Sequence, residues 1–289
     1  MKIKSLVVKP TRSGRSEFLQ VFNQAMEDSL MVEQQDPKRL YNLRCSQIPY
    51  CPRSVMTNYL TRGMFFAMDM RMAYYVSVGH AVHEVMQRCL AGSGRFIADY
   101  ECKECGKKYP LSRKYECCDF PTKYEEVSIN YKGIQGHIDG IFVDSTGRVW
   151  IIDYKTCSVS GAGQKEKNPP KSYRRQVRAY AYLLWKQYGI KVVGCMLVFL
   201  PRDNPWKPAV WEHRMGEHEY EDARLELKKD RTIHKNTMKA RTLDDLMELA
   251  KVTCGGEYCK PCGKSKIELK GMFTKLLKAN PKALPIKKE

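Results

Sequence analysis

The sequence has no apolar run approaching the roughly 20 residues that a membrane-spanning helix needs. Residues 1–15 lack the long apolar segment and small-residue cleavage site of a secretory leader. No amphipathic basic helix rich in exposed aromatics offers itself to a lipid surface. Acidic residues are in short supply: 32 Asp+Glu stand against 50 Lys+Arg, a formal net charge of +18. These absences set aside the integral-membrane and secreted classes. They lead us to expect a cytoplasmic protein with a polyanionic partner, nucleic acid before membrane. The 289 residues suffice for one large or two modest domains with a real core.

Cysteine, by contrast, is plentiful, at 12 residues. In a cytosolic chain, clustered cysteines point to metal rather than to disulfides. Cys102-x-x-Cys105-Gly106 has the form of a zinc-knuckle half, with the glycine permitting the turn. Cys117-Cys118 supplies an irregular second half, because adjacent cysteines reach one ion only across a kinked backbone. Structural zinc is the expected occupant over free thiols, and a further alternative leaves one of the pair outside the ligand set. Lys107, Lys108, Arg113 and Lys114 surround this stretch as candidate phosphate contacts or as a solvated loop. Cys254-x4-Cys259-x2-Cys262 forms a second group, and Cys51 precedes Pro52 at the start of a predicted helix. Cys45, Cys89, Cys157 and Cys195 stand apart and default to small buried hydrophobes.

Periodicity sets the predicted elements. An apolar stripe from Phe18 to Leu30 marks a helix over 17–35, which Asp36-Pro37 ends. A second helix spans 70–90, with Val78, Val82, Met86 and Leu90 on one stripe and Gly79 and His83 beside it. A glycine one turn before a histidine opens room for another element. Residues 125–131 read as a strand. Residues 158–170, rich in Gly, Pro and Lys, read as a mobile loop. A basic helix follows over 171–188, facing inward through Val177, Tyr180, Ala181 and Leu184, with Gln176 one turn before Tyr180. A buried strand over 191–200, an edge strand over 209–213, helices over 220–239 and 243–252, and an amphipathic piece over 267–277 complete the reading.

The chain is organised around residues 133–155. Two β-rich runs, 134–143 and 148–154, flank Ser145-Thr146-Gly147, a three-residue hairpin loop with glycine in the left-handed slot. Pairing Asp144 with Arg148 brings Asp139 opposite Asp153. Alternation places Lys155 on the face of Asp153. Two opposed carboxylates repel unless one is protonated or a cation lies between them. The arrangement suits either a salt-bridged surface or a divalent-metal site with a lysine acting on an anionic substrate.

Four signals in this order resemble the PD-(D/E)XK nuclease superfamily, and specifically its RecB-like exonuclease branch. Gly79-x3-His83 resembles that branch's helical Gly-x3-His motif. Gly136-His-Ile-Asp139-Gly resembles the first acidic motif, Asp153-Tyr154-Lys155 the D/E-x-K motif, and Gln176-x3-Tyr180 the Gln-x3-Tyr motif. The resemblance implies an α/β (α+β) restriction-endonuclease-like core, a mixed central sheet flanked by helices, carrying a small Cys-rich ribbon insertion. It divides the chain into a helical region over 1–70 carrying Cys51, a first core helix over 71–98 and a zinc-ribbon-like insertion over 99–120. The nuclease core over 121–215, C-terminal helices and Cys cluster over 216–263 and a basic tail over 264–289 follow.

The resemblance also implies roles. His83, Asp139, Asp153 and the backbone carbonyl of Tyr154 hold Mg²⁺ or Mn²⁺, with Glu125 or Glu126 as a further carboxylate. Lys155 orients water and stabilises charge on phosphorus. Gln176 and Tyr180 position the DNA or the lysine, and Arg174, Arg175 and Arg178 line the DNA path. Iron–sulfur members of the superfamily, including CRISPR-associated exonucleases, use one cysteine before the core and three after it. Cys51, Cys259 and Cys262 match that pattern. Glu268 stands where the last cysteine is expected, and Cys254 offers a substitute. A [4Fe–4S] cluster is the implied occupant, with zinc as the alternative. The implied activity is a DNA exonuclease acting on single strands or ends, with partner proteins of a recombination, repair or CRISPR-adaptation complex in view. A structure-specific endonuclease and a non-catalytic nucleic-acid-binding module are the alternatives.

Overall fold

A computed structural model of the chain describes residues 20–21, 43–47, 51, 54–55, 70–113, 117–118, 122–204, 207–239, 248 and 266–279. The strands, in chain order, are β1 (Leu43–Arg44), β2 (Phe96–Cys102), β3 (Lys108–Ser112), β4 (Thr122–Glu125) and β5 (Val127–Tyr131). They continue with β6 (Ile134–Ile138), β7 (Gly140–Val143), β8 (Val149–Cys157), β9 (Gly194–Pro201) and β10 (Ala209–Arg214). The helices are α1 (Met70–Ala91), α2 (Val159–Lys167), α3 (Lys171–Tyr188), α4 (Glu217–Thr237) and α5 (Lys266–Ala279). The expected helices over 17–35 and 243–252, and Cys254, Cys259 and Cys262, lie outside the described residues or reach them only at single positions.

Seven strands form a mixed sheet in the order β10-β9-β8-β7-β2-β3, with β4 also on β2. A smaller sheet has the order β1-β6-β5. The parallel pair β8–β9 needs a crossover, which α2 and α3 supply. Trp150 to Tyr154 on β8 are all buried, as expected of a strand covered on both faces. Ile151, Leu197 and Phe199 face the main core with Val177, Tyr180 and Leu184 of α3. Ile152, Tyr154 and Leu200 point the other way, toward Val82, Met86 and Leu90 of α1. The central sheet is thus sandwiched between α3 and α1.

The hairpin register is as the loop dictates. Asp144 N–H donates to the Arg148 carbonyl at 2.9 Å, and Gly140 pairs with Ile152. Gly147 takes its left-handed slot at φ 82°. The expected single strand over 134–143 is instead two strands, β6 and β7, in different sheets. Asp139 is the bend between them. The expected strand over 125–131 is likewise divided at Glu126 into β4 and β5, again in different sheets. At both breaks the apolar alternation changes parity, from Tyr124 to Val127 and from Ile138 to Ile141.

Residues 158–170, expected as a loop, contain α2. The Ser158 hydroxyl accepts from Gly161 N–H at 3.2 Å, and this cap starts the helix despite two glycines within it. The cysteine ribbon is continuous with the central sheet, since β2 pairs with β7 through Phe96 and Ile97 and with β3 and β4 further along. No helix among the described residues is long and apolar enough to cross a membrane.

Candidate active site

His83 reaches the site from α1. Gly79, one turn earlier, faces β8, where a Cβ would reach van der Waals contact with Thr156 Oγ1 at 3.4 Å. His83 Nδ1 lies 3.5 Å from Asp139 Oδ2, and its ring meets Tyr154 edge-on at 5.8 Å between centroids. Asp139 is held by three hydrogen bonds. Its Oδ2 accepts the Tyr154 N–H at 2.9 Å, and its carbonyl accepts from the Tyr124 hydroxyl at 2.9 Å and from Gln87 Nε2 at 3.4 Å. The same Gln87 amide donates to Glu126 Oε1 at 2.7 Å. One donor atom each from His83, Glu126 and Asp139 lies within 4.8 Å of the others.

Asp153 and Lys155 come from β8. Lys155 Nζ stands 2.6 Å from Asp153 Oδ2, and Asp153 is 1% exposed. Asp153 Oδ1 is buried with no hydrogen-bond partner among the described residues. The Lys155 ammonium lies over the Tyr173 ring at 5.1 Å. On α3, Gln176 Nε2 donates to the Tyr180 hydroxyl at 3.2 Å. Tyr180 fits under β6 only because residue 136 is glycine: a Cβ there would come within 2.7 Å of Tyr180 Cε1.

The electrostatics follow from crowding. Burial, then the Asp153 charge, hold the Asp139 carboxyl well above the ordinary carboxylate range. Burial, then Lys155, lower the His83 pKa, while Asp153, Glu126 and the Tyr154 backbone oppose that shift. Burial disfavours the Lys155 ammonium, but Asp153 and Asp139 outweigh it and keep its pKa above the usual lysine value. Crowding thus favours the neutral forms of His83 and Asp139 beside the Lys155 ammonium.

The structure brings together His83, Asp139, Asp153, Lys155 and the Gln176–Tyr180 pair. It also separates Glu125 from Glu126. Glu125 points outward to Lys123 at 2.8 Å, whereas Glu126 turns in to the histidine. Gln87 is the residue that sequence reasoning missed. Its signal is the spacing His83-x3-Gln87, which puts both side chains on one helix face.

Two of the three expected DNA-path arginines are engaged elsewhere. Arg175 pairs with Asp230 at 3.0 Å and Glu226 at 3.2 Å, and Arg178 pairs with Glu226 at 2.9 Å. They lock α3 to α4, because the acids that neutralise them arrive on a later helix. Arg174 makes no ion pair among the described residues and has a buried Nε without a partner there. Cys51 lies at a helix start as expected, with its Sγ 3.4 Å from Ser54 N and its carbonyl accepting from Val55 N–H.

The family model of the PD-(D/E)XK nuclease superfamily matches residues 108–262. The chain belongs to the PD-(D/E)XK nuclease superfamily. The match spans Glu126, Asp139, Asp153, Lys155, Gln176 and Tyr180, while His83 and Gln87 precede it. Nucleic acid is the substrate class of this superfamily, and its nucleases use divalent metals. The solved structure titled SSO0001 is similar at 17% identity, covering 84% of this chain and 97% of that one, with a TM-score of 0.40. An alkaline exonuclease from Laribacter hongkongensis, LHK-Exo, is 10% identical over 68% of this chain and 90% of its own, with a TM-score of 0.36. Its complex with dAMP is 11% identical over 76% and 97%, with a TM-score of 0.37. No curated protein matches the chain.

Proposed function

We propose that this PD-(D/E)XK protein is a Mg²⁺- or Mn²⁺-dependent deoxyribonuclease, an exonuclease acting on single-stranded DNA or DNA ends. The observation that carries the reading is one cluster. His83, Glu126 and Asp139 offer donor atoms within 4.8 Å of one another, beside an Asp153–Lys155 pair at 2.6 Å. A module that only binds nucleic acid gains nothing from clustered carboxylates, which repel phosphate.

The donors fit a hard divalent cation. They are carboxylate oxygens and one imidazole whose neutral form is favoured by burial, and Asp153 Oδ1 is a buried oxygen in need of a partner. His83, Glu126 and Asp139 would hold the ion, with Asp153 and the Tyr154 backbone beside it. When bound, the cation polarises the scissile phosphate and makes water easier to deprotonate. Lys155 then presents an ammonium to the phosphate. Negative charge grows there as the water oxygen bonds to phosphorus and the leaving P–O bond breaks. Asp153 fixes that ammonium in place, so no reorientation is needed as charge develops. Gln176 and Tyr180 form a polar wall beside the pair, suited to aligning the strand.

The exonuclease assignment rests on the RecB-like pattern Gly79-x3-His83 and Gln176-x3-Tyr180. A further cation supply supports a polyanionic substrate. A cavity of about 510 Å³ is lined by Lys132, Lys186, Arg224, Lys228, Arg231 and Lys235, with no carboxylate in its lining. The test compares end-labelled linear DNA with circular single-stranded DNA in Mg²⁺ or Mn²⁺. Release of nucleotides from the linear DNA alone, lost in Asp139→Ala and Lys155→Ala, is expected. Full activity in either variant overturns the site, and cleavage of the circle overturns the exonuclease assignment.

A further inference from the structure

We propose that Cys102, Cys105, Cys117 and Cys118 bind one zinc ion, and that this ion fixes the strand that carries Glu126 into the active site. The second half rests on the reading of His83, Glu126 and Asp139 as a cation site.

The four Sγ atoms lie within 4.8 Å of one another. Cys117 Sγ is 3.4 Å from Cys105 Sγ and 3.4 Å from Cys118 Sγ. Four thiolates around one zinc, each about 2.3 Å from it, stand about 3.8 Å apart. The observed spacing therefore fits a single ion. The thiolates of an iron–sulfur cube bind four separate irons and stand farther apart. The backbone is shaped for convergence. Gly106 at φ 69° closes the knuckle, with its N–H on the Cys102 carbonyl at 2.9 Å. Cys118 takes the left-handed conformation at φ 58°, uncommon for a side-chain-bearing residue. That kink lets two adjacent cysteines point at one ion. With four protein ligands the site has no open position, so it is structural.

Its mechanical output is in the register. Cys102 pairs with Thr122, the first residue of β4, and Asp99 pairs with Glu125, the last. Cys117 and Cys118 lie just before β4 in sequence. The proposed ion therefore ties the end of β2 to the entry of β4. Along β4, Tyr124 sends its hydroxyl to the Asp139 carbonyl at 2.9 Å, and the residue after Glu125 is Glu126. Without the ion, β3 and β4 are short strands held at the far end of β2, and such ribbons are marginal alone.

The experiment uses the full chain and has two arms. Metal analysis compares the wild type with Cys105→Ser/Cys117→Ser, and loss of one zinc per chain is expected. Co²⁺ replacement should give tetrathiolate charge-transfer bands in the wild type that the double variant lacks. Unchanged metal content, or iron at this site, overturns the zinc assignment. In the second arm Mn²⁺ affinity is measured without DNA, by the resonance of free Mn²⁺. The double cysteine variant and Glu126→Gln should each weaken it by about 10-fold. Combined, they should weaken it no further than either alone. Unchanged affinity in the cysteine variant, or additive losses, overturns the positioning role. Cys105→His keeps four ligands and should retain both zinc and Mn²⁺ affinity, which separates loss of the ion from general unfolding. A wild type that holds the zinc and binds no Mn²⁺ would sink the active-site reading and leave the ribbon assignment standing.

Discussion

Glu126 and Asp139 occupy matching positions: each is the single residue at which the chain passes between the central and the smaller sheet. The chain leaves the central sheet at Glu126, makes the β5–β6 hairpin, and returns at Asp139. At such breaks the side chain is released from strict alternation, and both carboxylates turn toward His83. Glu126→Gln should therefore lower Mn²⁺ affinity and nuclease rate, each by about 10-fold or more. Glu125→Gln, one residue earlier on the outward face, should leave both unchanged. Parallel Mn²⁺ titrations and rate assays check the contrast.

The buried Asp153 makes a separate prediction about stability. Removing its partner by Lys155→Met leaves an uncompensated charge at a position that is 1% exposed. The metal-free protein should lose about 3 kcal/mol of stability. Adding Asp153→Asn to that variant should recover much of the loss and restore no activity. Urea unfolding with chelator, beside a nuclease assay, separates the two roles.

The hairpin turn should carry a pH signature. Asp144 accepts from Thr146 Oγ1 at 2.6 Å, Arg148 Nε at 2.8 Å and Trp150 Nε1 at 3.1 Å. The Thr146 hydrogen bond is the largest of the influences that hold its carboxyl below the ordinary range. A depressed folded pKa means the stabilisation is complete above the unfolded value of about 3.9 and is lost as pH falls through the folded one. Asp144→Asn should lower Tm at pH 6, and the difference from wild type should shrink below pH 4. A constant difference across that window would contradict the assignment.

Salt dependence tests the cation-lined cavity. Lys228→Glu/Arg231→Glu/Lys235→Glu should weaken DNA binding at low salt. It should also flatten the slope of log affinity against log salt by roughly 2 to 3. Filter binding across a salt series reads both quantities, and an unchanged slope places the DNA elsewhere.

Much of the site was legible because turn chemistry fixed the hairpin. Once Asp144 faced Arg148, Asp139 had to come to Asp153, and strand alternation put Lys155 on the face of Asp153, where the structure pairs them at 2.6 Å. The two sheet breaks left only a slip in apolar parity, from Ile138 to Ile141 and from Tyr124 to Val127, and such a slip does not say that the strand changes partners. The choice between Glu125 and Glu126 depended on that break. The α2 helix was hidden by its glycines, although Ser158 and Gly161 carried a capping signal. Arg175 and Arg178 looked free for DNA because Glu226 and Asp230, which claim them, lie some 50 residues later in the chain.

The β7–β8 ladder ends at Gly140 and Ile152, yet β8 continues to Cys157. From Asp153 onward no strand pairs with it on that side among the described residues, and the Tyr154 N–H is taken by the Asp139 carboxylate instead. A missing rung in the sheet opens the room for chemistry, and groups from the α1 face and the α3 face meet through it. The dimensions of that opening are therefore counted in residues. Deleting one residue between Ile134 and Gly140 would shift the rung and turn every later side chain of the strand to the opposite face. In this fold a change in chain length there is a change of active site.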